Sequence, residues 1–170
     1  LLMREMEKPV VVAVNGVAAG AGANIALAGD LVLAGRGASF IQAFSKIGLI
    51  PDSGGTFILP RIIGWQRAAA LMMTGEKVAA EAAEQMGMIY KAVDDDQLLK
   101  EAILLSEQLA QLPTRGLGLT KRLLNESAAN SLSQQLQREA VIQTEAGATA
   151  DHKEGVKAFT EKRTPLFMGK

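Results

Sequence analysis

The apolar positions change their period several times along this chain. Val10-Val11-Val12-Ala13-Val14 is a continuous, mostly β-branched run after Pro9. Such a run predicts a strand buried on both faces, as inside a layered α/β core. Asn15-Gly16 ends it. Residues 17–28 are small and apolar, and their second half predicts a closely packed helix, broken by Gly29-Asp30. Residues 31–34 and 38–41 read as two further short strands. From there the period becomes helical: 57–63 around Pro60, 65–73 ended by Thr74-Gly75, and 79–86 with Gly87 as its C-cap. Residues 88–93 read as a last short strand. Asp94-Asp95-Asp96 is a loop that sets acid at the start of the next helix, where the dipole favours it. That helix, 98–112, carries a stripe of Leu98, Leu99, Ala102, Ile103, Leu105, Leu109 and Leu112, and Pro113 stops it. Segments 116–124, 131–144 and 151–162 complete a helical second half. Strands first and helices after predict one α+β or layered α/β domain rather than a regular βαβ series.

Composition narrows the chemistry. Lys and Arg total 18, and so do Asp and Glu, so formal net charge is zero and the basic field expected of a nucleic-acid binder is missing. There is no cysteine and one histidine, which excludes disulfides, thiolate metal sites and histidine clusters. No metal is expected. No apolar stretch approaches the ~20 residues that span a membrane. The opening Leu1-Leu2-Met3-Arg4-Glu5-Met6-Glu7-Lys8 is charged and amphipathic, unlike a signal peptide. A cytoplasmic setting is expected, and sequence upstream of Leu1 is expected as well.

Two stretches carry candidate chemistry. Gly20-Ala21-Gly22 opens the first helix. It lacks the third small residue of a dinucleotide fingerprint, since that position is Ile25, and it has no Gly-Lys-Ser/Thr. The glycines either admit close helix–strand contact or expose helix-start N–H groups to a developing negative charge. The second stretch runs from Phe44 to Thr56, with Gly48-Leu49-Ile50-Pro51-Asp52-Ser53-Gly54-Gly55 inside it. Asp52 either caps the following helix or acts as an acid whose pKa is raised by Leu49, Ile50 and other apolar neighbours. His152 reads as a solvated helix start, and the methionines as core filler. Lys121-Arg122 reads as a solvated face. Lys162-Arg163 reads the same way, or as a contact to a phosphate-bearing ligand.

Together these residues resemble the crotonase family, the enoyl-CoA hydratase/isomerase superfamily. Residues 9–30 are similar to its strand, Asn-Gly turn and small-residue helix ending in Asp. Residues 40–59 are similar to its second active-site segment, and 75–93 to its Thr-Gly, helix, Gly-Met-Ile segment. The likeness runs on to Phe159-Thr160-Glu161-Lys162-Arg163.

The resemblance implies a spiral core of strand–strand–helix turns around two sheets, over residues 1–97, and a helical trimerisation region over 98–170. It places an oxyanion-hole N–H on Ala21. It places the two hydratase glutamates on Asn24 and Phe44, neither of which is an acid or base. Asp52 matches the aspartate of a subset of isomerases. Ala19, Phe44 and Leu49 are implied in the acyl pocket. Phe159 and Lys162 match positions that reach the CoA of a neighbouring subunit. The second oxyanion donor is implied to lie upstream of Leu1.

Within the family, residues 44–56 are similar to the isomerases that convert ring-1,2-epoxyphenylacetyl-CoA to oxepin-CoA and shift double bonds in enoyl-CoA. The implied activity is therefore isomerisation of a CoA thioester, with coenzyme A as part of the substrate and no separate cofactor. The implied assembly is a homotrimer or dimer of trimers, with no nucleic acid or membrane partner. Hydration or another crotonase reaction is the alternative, and a non-catalytic crotonase-fold subunit the third.

Overall fold

A computed structural model describes all 170 residues. The elements follow in the order α1 (Leu2–Glu5), β1 (Val11–Val14), β2 (Val17–Ala19), α2 (Ala21–Leu27), β3 (Leu31–Gly35) and β4 (Ser39–Ile41). A 3-10 turn at Ala43–Ile47 precedes α3 (Gly55–Ile63), α4 (Trp65–Thr74), β5 (Lys77–Ala79), α5 (Ala80–Gln85) and β6 (Lys91–Val93). The last helices are α6 (Leu98–Ala110), α7 (Thr114–Ser127), α8 (Leu132–Gly147) and α9 (Ala150–Glu161). The chain forms two compact units, Val10–Leu105 and Leu1–Pro9 with Ser106–Lys170. The division falls inside α6 rather than at residues 97 and 98, and the first nine residues go with the helical unit.

In the first unit, β1, β3 and β6 form one parallel sheet, and β2, β4 and β5 form a second. β2 and β4 run parallel, with Ala19 beside Ile41, while β5 is antiparallel to β4. Each of the first two turns sends one strand to each sheet and then a helix. The expected both-face burial belongs to β3 rather than β1. Val32 and Ala34 enter a core with Phe40, Leu59, Ala23 and Ala80, while Leu33 packs with Val93 and Leu98 on the other side. β1 leaves Ala13 exposed. The reason is position: β3 is the central strand of its sheet and β1 an edge.

Two three-residue strands, β2 and β5, were not legible in the sequence. Only their middle residues, Ala18 and Val78, are buried, so neither shows an apolar run. Two of the three acids before α6 also serve a purpose beyond the helix dipole. Asp95 Oδ1 accepts from the Gly37 N–H at 2.9 Å, and Asp94 Oδ1 from Arg36 Nε at 2.9 Å. They fasten the corner between β3 and β4.

In the helical unit α7 packs on α1 and α8, and α8 on α9. Ser131 and Gln134 form a capping box at the start of α8, which explains its sharp onset. The expectation that Lys121-Arg122 is a solvated face is overturned. Lys121 is buried and donates from Nζ to the carbonyls of Met3 and Lys8, at 2.5 and 3.1 Å. Arg122 pairs with Glu7 and Glu145, which also share Arg115. The hydrogen bond from Arg122 holds the Glu7 carboxyl below its ordinary range. No helix is long and apolar enough to cross a membrane.

Candidate active site

The site begins where β2 turns into α2. Gly20 N–H donates to the Ile41 carbonyl at 2.8 Å, extending the β2–β4 ladder by one bond. Its backbone then turns at φ 54°, ψ −124°, a conformation that disfavours any residue with a Cβ. The reversal starts α2 at Ala21. The first helix amide with a backbone partner is Asn24, bonded to the Gly20 carbonyl at 3.2 Å. The N–H groups of Ala21, Gly22 and Ala23 carry no hydrogen bond within the chain, as the opening turn of a helix requires. The buried Phe44 ring sits against Gly20, 3.5 Å from where a Cβ would stand.

One turn into α2, Asn24 is 1% exposed and makes two side-chain bonds. Gln42 Nε2 donates to its Oδ1 at 2.8 Å, and its Nδ2 donates to the Asp52 carbonyl at 2.9 Å. Gln42 is itself buried, directly after β4. Gly55 makes room for this contact, because a Cβ there would lie 2.3 Å from Asn24 Nδ2. Gln42 Oε1 and Ser39 Oγ are buried with no partner.

The chain between Phe44 and Asp52 is pinned at both ends. Leu49 N–H donates to the Phe44 carbonyl at 3.0 Å. The Asp52 carbonyl accepts from Gly55 N–H at 2.8 Å as well as from Asn24. Ser53 and Gly54 follow with φ of 50° and 83°, and α3 starts with Gly54 as its N-cap and no side-chain cap. Two expectations are corrected here. Asp52 does not cap α3 with its side chain; its main-chain oxygen takes that amide. Its apolar enclosure by Leu49 and Ile50 is absent too, since these are 60% and 81% exposed and Asp52 itself is exposed. The left-handed turn carries Asp52 outward. Its carboxylate makes no hydrogen bond or ion pair within the chain.

These bonds bring Ala19, Ala21, Phe44, Leu49 and Asp52 into one neighbourhood of the first unit. Phe159 and Lys162 belong to the helical unit, on and just after α9. Phe159 is 86% exposed. Lys162 caps α9 with φ 54°, its N–H donating to the Phe159 carbonyl at 3.2 Å, and its side chain has no ion pair. Arg163, by contrast, is engaged by Glu154 and Glu161. His152 stands at the helix start as expected, with its N–H bonded to the Thr149 hydroxyl at 3.0 Å. A hollow of this unit, between Arg4, Glu7, Lys121, Arg122 and Asn125, holds none of the residues singled out for chemistry. No group of three or more His, Cys, Asp or Glu side chains could hold a metal ion.

Sequence reasoning did not find Gln42 or the structural use of Asn24. A lone Gln after an apolar strand gives no sign that it will be buried, and only the fold brings it to Asn24.

Two small sheets joined by strand–strand–helix turns, with a strand-to-helix reversal at Gly20 facing an aspartate loop, define a crotonase fold. The chain belongs to the enoyl-CoA hydratase/isomerase family, whose pattern it matches over residues 1–170. It is 51% identical to the 1,2-epoxyphenylacetyl-CoA isomerase of Escherichia coli (strain K12) over 168 residues, covering 99% of this chain and 64% of that protein. It is 39% identical to the trans-2-decenoyl-[acyl-carrier-protein] isomerase of Streptococcus mutans (serotype c, strain UA159), covering 99% of this chain and 64% of that one. The crystal structure of an enoyl-CoA hydratase from Polaromonas sp. JS666 superposes with a TM-score of 0.94 at 37% identity, covering 98% of this chain and 65% of that one. The chain thus spans somewhat less than two thirds of the length of the curated relatives it matches.

Proposed function

We propose that the protein isomerises an acyl-CoA thioester, converting a ring-1,2-epoxyphenylacetyl-CoA to oxepin-CoA and shifting double bonds between 3-enoyl-CoA and 2-enoyl-CoA. One observation carries this reading. The two positions where a hydratase of the family would hold glutamates are Asn24 and Phe44, both buried and both occupied in packing or hydrogen bonding. Asp52 is left as the exposed, unengaged carboxylate of the same neighbourhood.

On this reading the thioester carbonyl accepts from the Ala21 N–H and from a second donor elsewhere in the whole protein. Each such donor is worth roughly 2.7–4 kcal/mol of transition-state stabilisation. Polarising the carbonyl acidifies the adjacent carbon. Asp52 removes a proton at one carbon and returns it at another on the same face, so a single base serves a 1,3 shift. Ala19, Phe44 and Leu49 line the acyl group, and the absence of an acid at Phe44 suits an apolar or aromatic chain. Phe159 and Lys162, exposed and free of ion pairs, contact the CoA of a neighbouring subunit in a homotrimer or dimer of trimers. A cytoplasmic site of action goes with this substrate class.

The test compares wild-type whole protein with Asp52→Asn on a 3-enoyl-CoA and on the epoxide thioester. Loss of a positioned acid/base should lower kcat by roughly 10²–10⁴. Equal turnover would sink the assignment. Water addition to crotonyl-CoA that Asp52→Asn leaves unchanged would point to the hydratase reading instead.

A further inference from the structure

We infer that Asn24 is a positioning residue for Asp52: its buried side-chain amide grips the main chain of Asp52 and so sets the carboxylate relative to the free amides of α2. The inference rests on the proposed role of Asp52 in proton transfer.

Three observations carry it. Asn24 lies three residues after Ala21 on the same short helix, so whatever it holds is registered to that helix start. Its two bonds have opposite polarity, accepting from Gln42 Nε2 and donating to the Asp52 oxygen. An amide supplies one donor end and one acceptor end; an ionised acid of the same shape supplies acceptors only. A carboxylate at position 24 would face the Asp52 carbonyl with like polarity, and an apolar residue would leave buried polar groups unpaired. Gln42, by occupying Oδ1, directs the donor end at Asp52.

The loop also needs an external hold. After Asp52 the chain enters two successive positive-φ residues, the first of them Ser53, where a Cβ disfavours that conformation. The Asp52 oxygen is the point at which the tether and the start of α3 meet, since it accepts from both Asn24 and Gly55. Gly55 is what permits the approach, its missing Cβ being the space that the Asn24 amide fills.

The experiment is a double-mutant cycle on the whole protein with a 3-enoyl-CoA, reading kcat and KM separately. Asn24→Ala and Gly55→Ala should each lower kcat about 10–100-fold, as expected for a displaced catalytic group. KM should stay within about three-fold, because substrate binding is not what the tether controls. In the Asp52→Asn background, Asn24→Ala should cost no further kcat. A structural role alone would instead leave its full cost in that background, and this overturns the inference. Wild-type kcat in both Asn24→Ala and Gly55→Ala also overturns it. Should Asn24→Ala fail to fold, Gly55→Ala carries the same cycle from the other side of the contact. An Asp52→Asn protein as active as wild type defeats the proposed function and the inference with it. An impaired Asp52→Asn beside an additive Asn24→Ala defeats the inference alone.

Discussion

Asn24 Nδ2 lies 2.9 Å from the main-chain oxygen of Asp52 and donates to it. A side chain on α2 thereby holds the loop on which the candidate acid stands, 28 residues further on. The helix start and the Asp52 loop are joined by the Asn24 side chain and the Asp52 main chain, not by the Asp52 carboxylate.

Gly20→Ala should destabilise the first unit by roughly 1–3 kcal/mol, the usual cost of forcing a Cβ into a glycine-only conformation. Space is not the obstacle, since the nearest Phe44 carbon would lie at an ordinary 3.5 Å. The backbone at φ 54°, ψ −124° is. Denaturant melts of the wild type and the variant check this, and an unchanged midpoint would refute it.

Asp151→Ala should free the C-terminal segment. The buried Asp151 carboxylate accepts from Met168 N–H at 2.7 Å and Gly169 N–H at 2.8 Å, and its own N–H donates to the Lys170 carbonyl at 3.0 Å. Losing charge-assisted bonds of this kind costs roughly 1.5–3 kcal/mol. Trypsin should then cut at Lys162 or Arg163 sooner than in the wild type, read by mass spectrometry.

Glu154 should make stability pH-dependent in the acid range. Its hydrogen bond from Arg163, with the Leu166 N–H as second donor, lowers its pKa from 4.5 to about 2. A carboxylate depressed on folding stabilises the protein fully above its unfolded pKa. That contribution fades as pH falls from 4.5 towards 2. The gap in melting temperature between wild type and Glu154→Gln should therefore be widest near pH 7 and shrink below pH ~4.5. A gap that grows on acidification would contradict this.

Lys121→Met keeps an unbranched apolar stem, one atom shorter, and removes the donors. The Met3 and Lys8 carbonyls would lose the Nζ donor, and bonds from a charged group are worth roughly 1.5–3 kcal/mol. Urea unfolding should show the loss, whereas an equivalent change at the exposed Lys153 should be close to neutral.

The extent to which the sequence was readable follows from how local each signal is. The strands β1, β3 and β4 and the helices α3 to α9 declare themselves by apolar period, and two of their ends by Gly87 and Pro113, because those signals act within a few residues. The family likeness also rests on contiguous motifs, so Ala21, Phe44 and Asp52 could be singled out. β2 and β5 could not be read, since three residues with one buried position hold a strand only when β4 lies between them.

By itself, then, the sequence determined the family and most of the elements. Tertiary structure alone decided what the Asn24 side chain meets. Burial of Asn24 with Gln42 needs two segments 18 residues apart to close on each other, and the tether to Asp52 needs a third. It also decided that Asp52 turns outward, through the positive φ of Ser53 and Gly54, and that Lys121 turns inward to carbonyls more than a hundred residues away. Period and composition record how a residue meets its near neighbours. Which distant polar group will satisfy it when water is excluded is settled only once the chain has closed.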